Sequence, residues 1–99
     1  MQTEILEYIK DRKHGKIGVI VARNVDGQVR VGWSKCNFKA GDEFIVGDGL
    51  AIALERTSTP PDPAPACIHK QIRKVGVRAM RYFKDATMLI IPPRRFEKV

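Results

Sequence analysis

Lys16-Ile17-Gly18-Val19-Ile20-Val21-Ala22-Arg23, then Asn24-Val25-Asp26-Gly27, then Gln28-Val29-Arg30-Val31-Gly32-Trp33-Ser34 is the stretch that decides the fold. Its first run is β-branched and apolar on both faces. Its last run alternates strictly, with Val29, Val31 and Trp33 on one side. Between them Asp26-Gly27 can supply the positive φ of a two-residue hairpin turn. A strand apolar on both faces must be covered on both. A helix on one face and a strand neighbour or loop near the other would serve.

Upstream, residues 2–12 read as a short helix. Ile5, Leu6 and Ile9, with Tyr8 beside them, form an apolar stripe. Thr3 can cap it, and Glu4 and Glu7 suit the positive end of its dipole. Arg12, Lys13, His14 and Gly15 end it. Downstream, residues 43–56 admit two readings. Leu50–Arg56 holds strong helix formers behind a capping Asp48, whereas Glu43–Val46 and Leu50–Leu54 could form a second hairpin around Gly47-Asp48-Gly49. Propensity favours the helix. Residues 57–66 hold four of the six prolines. They read as an extended, exposed connector, since Pro removes a donor and biases its predecessor away from helix.

Residues 67–85 read as the longest helix. At about 100° per residue, Ile68, Ile72, Val75, Ala79, Tyr82 and Phe83 fall on one core-facing stripe. Gly76 lies at its edge, where another element can approach. His69, Lys70, Arg73, Lys74, Arg78, Arg81 and Lys84 fall on the opposite half, with Val77 and Met80 among them. Residues 87–91 read as a short buried strand that Pro92-Pro93 stops, and 94–99 as a basic tail. The fold class expected is therefore α+β in one domain, 1–99. A small antiparallel sheet, the hairpin plus the C-terminal strand, is packed by the N-terminal and long helices.

The charge is placed unevenly. Residues 1–65 hold nine basic and nine acidic side chains, whereas 66–99 hold nine basic and two acidic, so the whole net charge of +7 sits in the last third. Acid–base pairs at i, i+4 stabilise a helix and like pairs destabilise it by about 0.2–0.5 kcal/mol. Lys70–Lys74 and Lys74–Arg78 are like pairs. Such a surface gains free energy when an anion approaches, although many basic faces serve only solubility. Lys and Arg on one helix face match the footprint of a phosphate backbone. An acidic protein surface fits the same charges. The binding residues expected are His69, Lys70, Arg73, Lys74, Arg78, Arg81 and Lys84, with Arg94 and Arg95 of the tail. Trp33 could stack on an unpaired base, but its phase with Val29 and Val31 marks it as core.

Little in the chain points to catalysis. His14 and His69 lack partners at metal-ligand spacing, and Cys67-Ile68-His69 is too weak a pattern to count. Cys36 as a nucleophile would need His14 nearby in space. Asp42-Glu43 reads as a loop or cap. Gly41, Gly47 and Gly49 lack the Lys-Ser/Thr of a phosphate-binding loop. We expect no enzyme, no cofactor and no metal. No apolar run reaches the roughly 18 residues that cross a bilayer. The start, Met1-Gln2-Thr3-Glu4, has an acid where a secretory leader has basic residues. A cytoplasmic protein with Cys36 and Cys67 as thiols is the expectation. A two-fold homodimer is open to so small a chain, with Val77 and Met80 as its place.

Gly32-Trp33-Ser34-Lys35-Cys36-Asn37, Asp42-Glu43-Phe44, Gly49–Arg56 and Arg81-Tyr82-Phe83-Lys84 together resemble segments of short uncharacterised open reading frames of tailed bacteriophages. The resemblance covers residues 15–57 and 78–84; the proline-rich connector is not part of it. It implies a small accessory protein made in a bacterial host cell and supports the helical reading of 50–57. It carries over no catalytic residue. The function expected is nucleic-acid binding without catalysis; the alternative is an inhibitor or adaptor on an acidic surface of a host protein.

Overall fold

The computed structural model describes residues 4–36, 44–57 and 62–95. The elements run β1 (Glu4–Asp11), β2 (Gly15–Val25), β3 (Gln28–Lys35), α1 (Val46–Glu55), α2 (Ala66–Tyr82) and β4 (Met88–Ile90). The strands form one sheet in the order β1-β2-β3-β4. One helix covers each face, which makes the chain α+β.

The hairpin forms as its sequence demands. Val25 pairs with Gln28, and Asp26 and Gly27 turn with φ of 52° and 84°. Positive φ at both central residues is the turn whose twist matches a β-ribbon. Alternation along β3 sends Val29, Val31 and Trp33 to one face, where they bury against Ile68, Ile72, Val75, Ala79 and Phe83 of the α2 segment. Ile20 and Ala22 of β2 join them. Val19 and Val21 bury on the other face with Ala53, Leu50 and Leu54 of α1. The two-sided burial of β2 is thus met by a helix on each side; the second cover is α1 rather than a strand or loop.

The N-terminal helix is a correction: residues 4–11 are strand β1, antiparallel to β2. Ile5 and Ile9 are four apart, an even number, so the spacing places them together on a strand as well as on a helix. As a strand they meet the α2 core, while Tyr8 packs on the α1 side. An isolated helix this short is marginal in water, whereas pairing gives the buried β2 backbone its second ladder. Pairing shifts register between Ile9 and Lys10, with Ile9 opposite Gly18 and Lys10 opposite Lys16. Ile17 is the extra residue of this bulge. It thereby buries with Ile9 and Ile20 instead of following Val19 and Val21.

The Asp11 carboxylate accepts the His14 backbone N–H at 2.6 Å across the β1–β2 turn. That bond, with smaller help from the imidazole, holds the Asp11 carboxyl below its ordinary value of 3.8. A depressed carboxyl pKa stabilises the fold above the unfolded value and ceases to do so as pH falls through the folded one. The thermal midpoint of wild type should exceed that of Asp11→Asn at pH 6, and the gap should close as pH falls through the lowered folded-state pKa. A gap unchanged with pH would show that the bond does not depend on charge.

The expected sheet was wholly antiparallel; β4 instead pairs parallel to β3, Gln28 opposite Met88 through Arg30 opposite Ile90. The chain leaves the far end of β3 and crosses back through α1 and α2, so it re-enters the sheet in the same direction. The helical reading of 43–56 holds, beginning at Val46 with Asp48 in its first turn and no side-chain cap. Glycine lets α1 sit close: a Cβ on Gly32 would run into the Ala53 carbonyl oxygen and lie 2.9 Å from Thr57 Cγ2.

The connector is less exposed than expected. Ala64 is fully buried. It forms a parallel bridge with Arg94, through Ala64 N–H to Pro93 O at 2.9 Å and Arg95 N–H to Ala64 O at 2.7 Å. These bonds give its buried backbone groups partners. Residues 58–61 of the connector lie outside the described residues, as do Thr3, the Asp42-Glu43 pair and residues 96–99 of the tail.

Candidate anion-binding face

α2 begins behind Pro65, whose φ of −56° is preset for a helix start. Its stripe of Ile68, Ile72, Val75, Gly76 and Ala79 is buried. A Cβ on Gly76 would come within 3.0 Å of Leu89 Cδ1 and 3.3 Å of Ile91 Cγ2, so the missing side chain lets α2 settle against β4. Two members of the expected stripe part company at the helix end. Phe83 turns inward with a non-helical backbone and stays 6% exposed. Tyr82, expected in the core, is 51% exposed and meets Phe83 edge-on at 5.0 Å.

Burying one stripe fixes what points outward. Lys70, Arg73, Lys74, Arg78 and Arg81 are all exposed on α2. From Lys70 to Arg81 the helix rises about 16 Å. A groove of about 720 Å³ runs along this side, lined by Arg73, Val77 and Arg81 and, from the far end of the chain, Arg94. On the flank toward β1, Glu7 shares a hollow with Lys70, Lys74 and Arg78. No ion pair joins them: the ion pairs among the described residues are His14–Asp11 and Arg23–Glu4. Asp85, the acid nearest the helix in sequence, accepts a hydrogen bond from Asn24 Nδ2 at 3.1 Å instead. The outward face of α2 is therefore cationic without an acidic partner among the described residues.

Other expected site residues are dispersed. His69 is half-buried, its Nε2 3.2 Å from the Pro92 carbonyl oxygen, so it forms part of the groove wall facing the β4 end. Lys84 lies exposed in the turn beyond α2. The arginine pair is split, because successive residues of an extended segment point apart. Arg94 joins the α2 groove, whereas the Arg95 guanidinium sits 5.6 Å from the Trp33 ring centre. Helical spacing brings neither residue to α2: Arg94, expected as part of the tail, arrives through the Ala64–Arg94 bridge, and Glu7, not expected there, arrives through β1. Also missed was Arg56, which stands 4.1 Å over the Trp33 ring and donates to the Trp33 carbonyl oxygen at 3.1 Å. Trp33 itself is 5% exposed and belongs to the core, so it offers no stacking platform.

The chemistry on hand is that of fixed positive charge. Among the described residues no three His, Cys, Asp or Glu gather to hold a metal ion. Cys36 and Cys67 are not joined to each other, and Cys67 is exposed at the start of α2. No helix among the described residues is long and apolar enough to cross a membrane. In comparisons with known proteins, no family model, no curated protein and no solved structure matches this chain.

Proposed function

We propose that this protein is a non-enzymatic, phage-type accessory protein that binds nucleic acid through the outward face of α2. One observation carries the reading: Lys70, Arg73, Lys74, Arg78 and Arg81 are exposed on one helix with no ion pair to any described acid. Their mutual repulsion is relieved when phosphates replace solvent counterions. Val77 is 45% exposed in their midst, but a two-fold contact centred on it would set these cations against their own copies. An anion fits the face better than a second copy does.

The test is salt dependence. Five phosphate contacts give a plot of log K against log salt with a slope of about −4.5 on duplex and about −3.5 on single strands. Fluorescence anisotropy across a salt series measures it. A slope near zero overturns the proposal. So does the absence of binding at low salt, which would leave an acidic surface of a host protein as the anion these cations meet.

A further inference from the structure

The crown of the cationic face is not uniformly charged. Val77 stands at its centre, 45% exposed, between Arg73 and Arg81 one turn away on either side. A β-branched residue has poor helix propensity, and Val77 belongs to no core cluster that would compensate for it. It is the only large hydrophobic residue of the α2 crown left this open. Cations surround it. Arg73, Lys74, Arg78 and Arg94 line the groove with Val77; Lys74 and Arg78 reach on to the hollow beside Glu7, which Arg73 and Arg94 do not line.

Resting on the reading above, we infer that the partner is B-form duplex DNA and that α2 lies in its major groove with Val77 against the base edges. A helix with its side chains is about 10–12 Å across, and the B-form major groove is about 12 Å wide. The cations around Val77 then reach the phosphates of both bordering strands, which positions the helix without reading sequence. The one apolar side chain at the crown faces the groove floor, where the thymine C5-methyl is the only apolar group on a base edge. Duplex RNA does not admit the helix, because its major groove is deep and narrow. Single strands are bound by stacking on aromatic rings, and the crown of α2 has none: Trp33 is buried, and Tyr82 lies at the helix end against Phe83.

The test compares three 24-base-pair duplexes at one salt concentration: alternating A·T DNA, the same DNA with uracil for every thymine, and the corresponding RNA. The two DNAs differ only in the major-groove methyl. Wild type should bind the uracil duplex about fourfold more weakly, the effect of one buried methyl group. It should bind the RNA more weakly still. Val77→Ser, an exposed change that puts a hydroxyl where the two methyl groups stood, should bind both DNAs about equally and keep the wild-type salt slope. Equal wild-type affinity for thymine and uracil DNA, or RNA bound as tightly as DNA, overturns the major-groove placement while nucleic-acid binding stands. Binding to none of the three at low salt overturns both.

Discussion

The variant carrying Arg73→Glu, Lys74→Glu, Arg78→Glu and Arg81→Glu is expected to bind duplex DNA roughly 10⁴-fold or more below wild type at about 50 mM salt. Four phosphate contacts carry a log–log salt slope of about −3.6, and from ~1 M, where counterion release adds little, to ~50 mM that slope spans more than four decades. Repulsion between the new carboxylates and phosphate adds to the loss. The fold should survive, because all four side chains are exposed and none joins the core. Circular dichroism melting should place the variant within a few degrees of wild type. A folded variant that loses less than tenfold would show that the anion meets another surface. The same cations could have been a merely soluble exterior; a wild type indifferent to DNA would return that answer.

A larger effect on stability is expected from a single methyl group. Gly32→Ala should destabilise the protein by about 3 kcal/mol or more, at the upper end of overpacking costs. The added Cβ has nowhere to go, since the Ala53 backbone carbonyl of α1 occupies its place and Thr57 Cγ2 closes the other side. To make room α1 must lift from β3, which uncovers Val19 and Val21, now almost fully buried. At about 4–8 °C per kcal/mol for a domain this size, the thermal midpoint should fall by roughly 12–24 °C. Gly47→Ala is the internal comparison. A Cβ there meets nothing within 4 Å, so the change should stabilise α1 by about 0.5–1 kcal/mol through helix propensity alone. Two equal shifts would mean that the close approach at Gly32 does not hold α1 in place.

These two glycines mark where reading the chain succeeds and where it stops. Gly32 sits inside a run whose alternation already separates Val29, Val31 and Trp33 from the residues between them. Which face α1 would take, and that its carbonyl would fill the glycine's space, depends on residues more than twenty positions away. The cationic site divides the same way. Lys70, Arg73, Lys74, Arg78 and Arg81 are legible from helical period alone, because a buried stripe forces what lies opposite it outward. Glu7 and Arg94 reach the same surface from the two ends of the chain, through β1 and the Ala64–Arg94 bridge.

Local chemistry by itself determined the Asp26-Gly27 hairpin, the two-sided burial of β2, the buried stripe of α2 from Ile68 to Ala79 with the cations opposite it, and the stop at Pro92-Pro93. In each case the deciding residues are neighbours in sequence, and a turn, a period or a missing N–H acts over a few positions. Local chemistry did not determine the end of α2, expected at 85 and found at Tyr82. Only the tertiary structure decided that residues 4–11 are a strand, since the spacing of Ile5 and Ile9 suits both periods until β2 offers a ladder. It alone decided the parallel entry of β4, the turn of Ile17 onto the α2 face, and the release of Tyr82 to solvent. Those outcomes depend on which backbone groups find partners across long sequence separations, and local periodicity does not encode that.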